Sequence, residues 1–150
     1  VTGVLVTVVA FAAVVAVGYF YSRQLNARSA ELHDRALREL RRVIDEIRLE
    51  DESPPVCVSV VGDHQGGLGL TNARLFLRDA HGQLDVIPRE RVERLTAQRK
   101  NFGGARIQMG YEIVCRYVDG RVQRFALVDA SAWIRHDAEE LVGTLRRFWS

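Results

Sequence analysis

Residues 1–21 form a run dominated by Val, Ala, Leu, Phe and Gly, with no charged side chain before Arg23. A bilayer's hydrocarbon core is roughly 30 Å thick, so a helix rising about 1.5 Å per residue needs about 20 apolar residues to cross it. This run has that length. It predicts a membrane-spanning anchor, and everything after it is tethered to a bilayer. A cleaved secretory signal would carry a basic residue ahead of a shorter apolar core and small residues at its end. Here Tyr19, Phe20 and Tyr21 occupy that end. A buried core helix would keep a polar stripe, whereas this run offers Thr2 and Thr7 alone.

Charge sets the expected orientation. No basic residue precedes the run, while Arg23, Arg28, Arg35, Arg38, Arg41 and Arg42 follow it. Basic residues close to a span stay in the cytoplasm, so the rest of the chain is expected there, with Tyr19, Phe20, Tyr21 and Arg23 as anchors at the inner membrane interface. Lys100 is the single lysine, and the arginine, Ala, Val and Gly content suggests a GC-rich bacterial genome, which makes the inner membrane of a bacterium the expected location. Val1 fits a GTG initiation codon translated literally, and fits a trimmed chain equally well.

The part beyond the anchor is long enough for one domain. Its net charge of +2 is too mild to point to nucleic acid. Cys57 and Cys115 lack the short paired spacing of zinc or redox sites, and in a reducing cytoplasm both are expected as plain thiols in or near the core.

Residues 22–50 read as an amphipathic juxtamembrane helix, with Ala36, Leu37, Leu40, Val43, Ile44 and Ile47 at helical spacing. Ala30, His33, Leu37, Leu40, Ile44 and Ile47 would also serve as a heptad seam between two chains. The stripe widens to include Ala36 and Val43, which suits packing on the chain's own domain better. Pro54 and Pro55 end the helix and open a domain over residues 51–150.

Strands are expected over residues 56–61, 70–78, 84–87 and 92–100, with a glycine-broken loop over 62–69, a turn around Gly82 and a brief turn at Pro88. Residues 106–118 alternate most clearly: Ile107, Met109, Tyr111, Ile113, Cys115 and Tyr117 share one face, Gln108, Glu112 and Arg116 the other. A three-residue loop of Val118, Asp119 and a left-handed Gly120 would set Phe125 opposite Ile113 and Leu127 opposite Tyr111. A closing helix is expected from Asp137 as N-cap, with Glu140 completing a capping box and Ala138, Leu141, Val142, Leu145, Phe148 and Trp149 buried. Gly143 inside it would allow close approach to the sheet.

These elements resemble the pleckstrin-homology-like (PH-like) fold, in its small bacterial and GRAM-like forms. The stretches GLTNARL at 69–75, LDVIP at 84–88 with Val92 and Leu95, and Asp119 with Gly120 carry the resemblance. It implies a single transmembrane helix plus an α+β domain, an antiparallel PH-like β-barrel or sandwich capped by a C-terminal helix. Members of that group include lipid binders and protein-binding scaffolds. The basic first hairpin loop of lipid-binding relatives is absent from His64, Gln65, Gly66 and Gly67.

No catalytic, cofactor or metal site is expected. Ser59, Asp63 and His64 lack a nucleophile elbow, the glycines at 66–69 follow neither nucleotide fingerprint, and His33, His64, His81 and His136 have no shared metal spacing. Residues 99–106 gather Arg99, Lys100, Phe102 and Arg106 in a connection able to meet anionic lipid or an acidic partner. The spacing of Ala12 and Ala16 would permit close contact between membrane helices. The expected function is a non-enzymatic accessory or scaffold module of a membrane protein complex, held in the lipid bilayer beside another membrane protein. The alternative is a peripheral anionic-lipid-binding module acting through residues 99–106.

Overall fold

The structure is a computed structural model that describes residues 2–103, 109–128 and 132–150. It contains two compact units, Val1–Arg35 and Ala36–Ser150. A single helix, α1, covers Thr2–Ile47. In the first unit the stretch Gly3–Gln24 is long and apolar enough to cross a membrane, and none of it is buried. The change of pattern at Ser22 is therefore a change of surface within one helix. The helix stops at Ile47 rather than Glu50 because the Leu49 N–H donates to the Glu52 carboxylate at 2.9 Å, and Arg74 Nη2 meets the terminal carbonyl of Ile47 at 2.7 Å.

The second unit is an α+β domain. Its strands are β1 Val56–Gly62, β2 Gly66–Leu70, β3 Arg74–Arg78, β4 Leu84–Pro88, β5 Val92–Asn101, β6 Met109–Tyr117 and β7 Val122–Val128, with a 3-10 turn Arg89–Arg91 and a final helix α2, Ala132–Phe148. They form one open antiparallel sheet in the order β4-β3-β2-β1-β7-β6-β5.

The expected loop over 62–69 is corrected. Residues from Gly66 onward are β2, paired to β1 and β3. Leu68 and Leu70 turn into the main core, while Gly67 and Gly69 face α1. A Cβ at Gly67 would lie 2.7 Å from Leu40 Cδ2, and one at Gly69 only 2.4 Å from Ile44 Cδ1. These glycines are where the helix rests on the sheet. Residues 71–73 are consequently a turn, and β3 begins at Arg74 instead of Leu70.

Two apolar clusters result. The larger joins Leu68, Leu70, Leu75, Leu77, Leu95, Ile113, Cys115, Phe125 and Leu127 to Ala138, Leu141, Leu145 and Trp149 of the C-terminal region. The smaller sits on the opposite face of β1–β3, where Leu40 and Ile44 cover Cys57 and Phe76. Leu40 and Ile44 of the α1 stripe, with Leu37 beside them, thus pack on the chain's own domain, while Ala36 and Ile47 stay exposed. Phe76 shares its face with Arg74 and Arg78, residues that mark a wet face by their charge, and it is nonetheless buried because helix roofs that face.

The β6–β7 expectation holds. Gly120 has φ +89°, and Ile113 pairs Phe125 while Tyr111 pairs Leu127. The start expected for this strand, Arg106 to Gln108, lies outside the described residues. The C-terminal helix starts at Ala132, so Asp137 is inside it and caps nothing. Gly143 is exposed with no atom within 4 Å of a built Cβ, so it makes no close approach. Trp149 closes the domain by donating Nε1–H to the Thr71 carbonyl at 2.7 Å.

Candidate functional surface

Arg99, Lys100 and Asn101 are the last residues of β5 rather than part of a free loop. Arg99 Nη1 donates to the Tyr111 hydroxyl at 3.2 Å, and the guanidinium stands 5.2 Å above that ring. Lys100 Nζ donates to Glu112 Oε2 at 2.8 Å and lies 5.6 Å from the Phe102 ring centre. Arg124 reaches the other Glu112 oxygen at 3.2 Å. The Lys100 hydrogen bond, with the charges of Lys100 and Arg124, outweighs the opposing effect of burial and holds the Glu112 carboxyl below its usual range. Arg106 lies outside the described residues. Tyr19, Phe20, Tyr21 and Arg23 are all exposed in the last turns of the candidate span.

Two members of the candidate hydrolytic trio are engaged in turn-building. His64 Nε2–H donates to the Arg78 carbonyl at 3.0 Å, and Asp63 Oδ2 accepts the Arg124 backbone N–H at 2.7 Å. Among the described residues no group of three His, Cys, Asp or Glu could hold a metal. Cys57 and Cys115 are buried free thiols in different clusters. Burial pushes the Cys57 thiol up to about 11, leaving it protonated at neutral pH.

Two clefts flank the 3-10 turn. One, about 370 Å³, lies among Arg89, Glu90, Glu93, Arg94 and Trp149. The other, about 230 Å³, lies among Asp85, Arg91, Tyr117, Arg121 and Gln123. In the second, Arg121 is held by Asp119 at 3.0 Å and stacks 4.7 Å over Tyr117, whose hydroxyl donates to Gln123 Oε1. Burial pushes the Tyr117 phenol upward, so it stays neutral.

Sequence reasoning missed a buried ionic cluster at Glu52. Its side chain is fully shielded and accepts from Thr71 Oγ1 at 2.6 Å, Arg74 Nε at 2.9 Å, Arg74 Nη2 at 2.5 Å and the Leu49 N–H. Burial alone would push this carboxyl up, but those hydrogen bonds outweigh it and hold it at about 2. The cluster ties the end of α1 to the β2–β3 turn, and through Thr71 to Trp149. Glu52 ends an acidic run, Glu50-Asp51-Glu52, just before two prolines, and nothing in that pattern set it apart from its exposed neighbours.

The outer face of β5–β6–β7 was also missed. In contrast to the roofed face of β1–β3, it is open to solvent, with Arg94, Arg116 and Arg124 exposed and Val122 41% exposed. No protein family, curated protein or solved structure matches the chain.

Proposed function

We propose that this chain is a non-enzymatic, single-pass protein of a bacterial inner membrane, whose cytoplasmic PH-like domain is an accessory or scaffold module of a membrane protein complex. The observation that carries the reading is the 22-residue stretch Gly3–Gln24, apolar and wholly unburied, on a chain that also builds a complete domain core. The arginines from Arg23 onward support the cytoplasmic side, as do two unpaired thiols. A four-strand meander followed by a three-strand meander and a C-terminal helix supports the PH-like assignment.

The full chain expressed in bacteria should stay with membranes through alkaline carbonate extraction. Crosslinking in intact cells should then yield a dominant adduct with another membrane protein. Release by carbonate would refute the anchor. Absence of any protein adduct, together with capture by anionic vesicles that is lost on replacing Arg99 and Lys100 by Ser, would replace the scaffold reading with the lipid-binding one.

A further inference from the structure

Arg94 and Arg116 are directly opposed across β5 and β6. Side chains in that relation stand about 5 Å apart at Cβ, and like charges there repel. Both are exposed, and among the described residues neither has an acidic partner. The cause is a bulge between Val92 and Arg94. Val92 pairs Tyr117, so an unbroken ladder would set Glu93 against Arg116, an attractive pair. The bulge keeps both Val92 and Leu95 turned toward the core, so Glu93 and Arg94 both lie outside, and it is Arg94, with Glu93 beside it, that comes into register with Arg116. Arg124, one row further and diagonal to Arg116, extends the charge.

From this placement we infer that the outer face of β5–β6–β7 is a docking surface for an acidic segment of a partner protein, whose carboxylates lie between the Arg94 and Arg116 guanidiniums. The inference rests on the scaffold reading above and names the chemistry of its partner. Guanidinium forks receive carboxylates in bidentate geometry, and two opposed forks relieve their own repulsion when an anion lies between them. Val114 and Val122 sit among the arginines, giving the mixed apolar and arginine texture of a protein interface. Glu112 on the same face, with Lys100 and Arg124 drawn onto it, works against a uniform anionic membrane surface and favours a partner whose charges are placed in register.

The test uses the full chain in nanodiscs of zwitterionic lipid and a fluorescein-labelled ten-residue peptide alternating Glu and Val, read by anisotropy at low salt. Wild type should bind the peptide and ignore its Gln–Val counterpart. Arg94→Ser with Arg116→Ser should weaken binding at least tenfold without lowering the melting temperature, since a repulsion has been removed. Arg146→Ser with Arg147→Ser, which removes the same charge from the end of α2, should leave binding unchanged. The inference is overturned if wild type ignores the acidic peptide to millimolar concentration, or if both double variants weaken it equally. It is also overturned if the arginine pair governs adsorption of anionic vesicles but not the peptide. None of these outcomes bears on carbonate extraction, so this inference can fail while the anchor stands.

Discussion

Glu52→Gln removes one charge from the shielded cluster while keeping its shape. At neutral pH the carboxylate accepts from Thr71, Arg74 and Leu49, whereas a glutamine amide would point N–H groups at donors. Two estimates agree on size. Removing one partner of a buried ion pair costs about 3–5 kcal/mol. A carboxyl held at about 2 in the fold and near ~4.3 in the unfolded chain contributes about 3 kcal/mol. At roughly 4 °C per kcal/mol, the variant should melt about 12 °C below wild type at pH 7. The folded value is the depressed one, so this contribution is complete above about pH 5 and is lost as pH falls through about 4 toward about 2. Thermal unfolding of the full chain in neutral detergent, followed by circular dichroism, should show the gap closing over that range. A gap under about 3 °C at pH 7, or one that persists undiminished at pH 2, would refute the role assigned to Glu52.

Ile113, 1% exposed, should not tolerate Asp, which buries an unpaired carboxylate beside Phe125, whereas Glu112→Ala should cost no more than about 1 kcal/mol; equal melting of the two would contradict the facing of β6. Gly69→Ala should cost about 1–3 kcal/mol by forcing a methyl against Ile44 Cδ1, and Ile44→Val, which deletes that methyl, should recover part of the loss in a double-mutant cycle. Gly143→Ala, on the exposed side of α2 with open space around it, should stabilise by about 1 kcal/mol in the same melting assay.

The parts of the fold legible in the sequence were those written in side-chain period. Strand β6 alternates, the three-residue loop at Gly120 fixes the β7 register, and the candidate span is set by length and lack of charge. β2 was hidden because Gly67 and Gly69 carry no side chain to alternate, and the reason for glycine there is a helix more than twenty residues earlier in the chain. The N-terminal end of α2 was misplaced because a good capping residue, Asp137, lies inside a helix that begins at Ala132. For the surface, residue types pointed to Arg99 and Lys100, yet pairing with Tyr111 and Glu112 engages both. Arg94 and Arg116 gave no signal along the chain, since their opposition depends on one bulge residue in the ladder.

The most direct test of the central claim, a domain tethered by its first helix and facing the cytoplasm, is the accessibility of a cysteine introduced at Ala80. That residue is exposed in the turn before β4, while Cys57 and Cys115 are buried. In bacteria expressing Ala80→Cys, a membrane-impermeant maleimide should leave the protein unlabelled in intact spheroplasts and label it only after permeabilisation, with the parent chain unlabelled in both. Labelling of Ala80→Cys in intact spheroplasts would contradict the orientation.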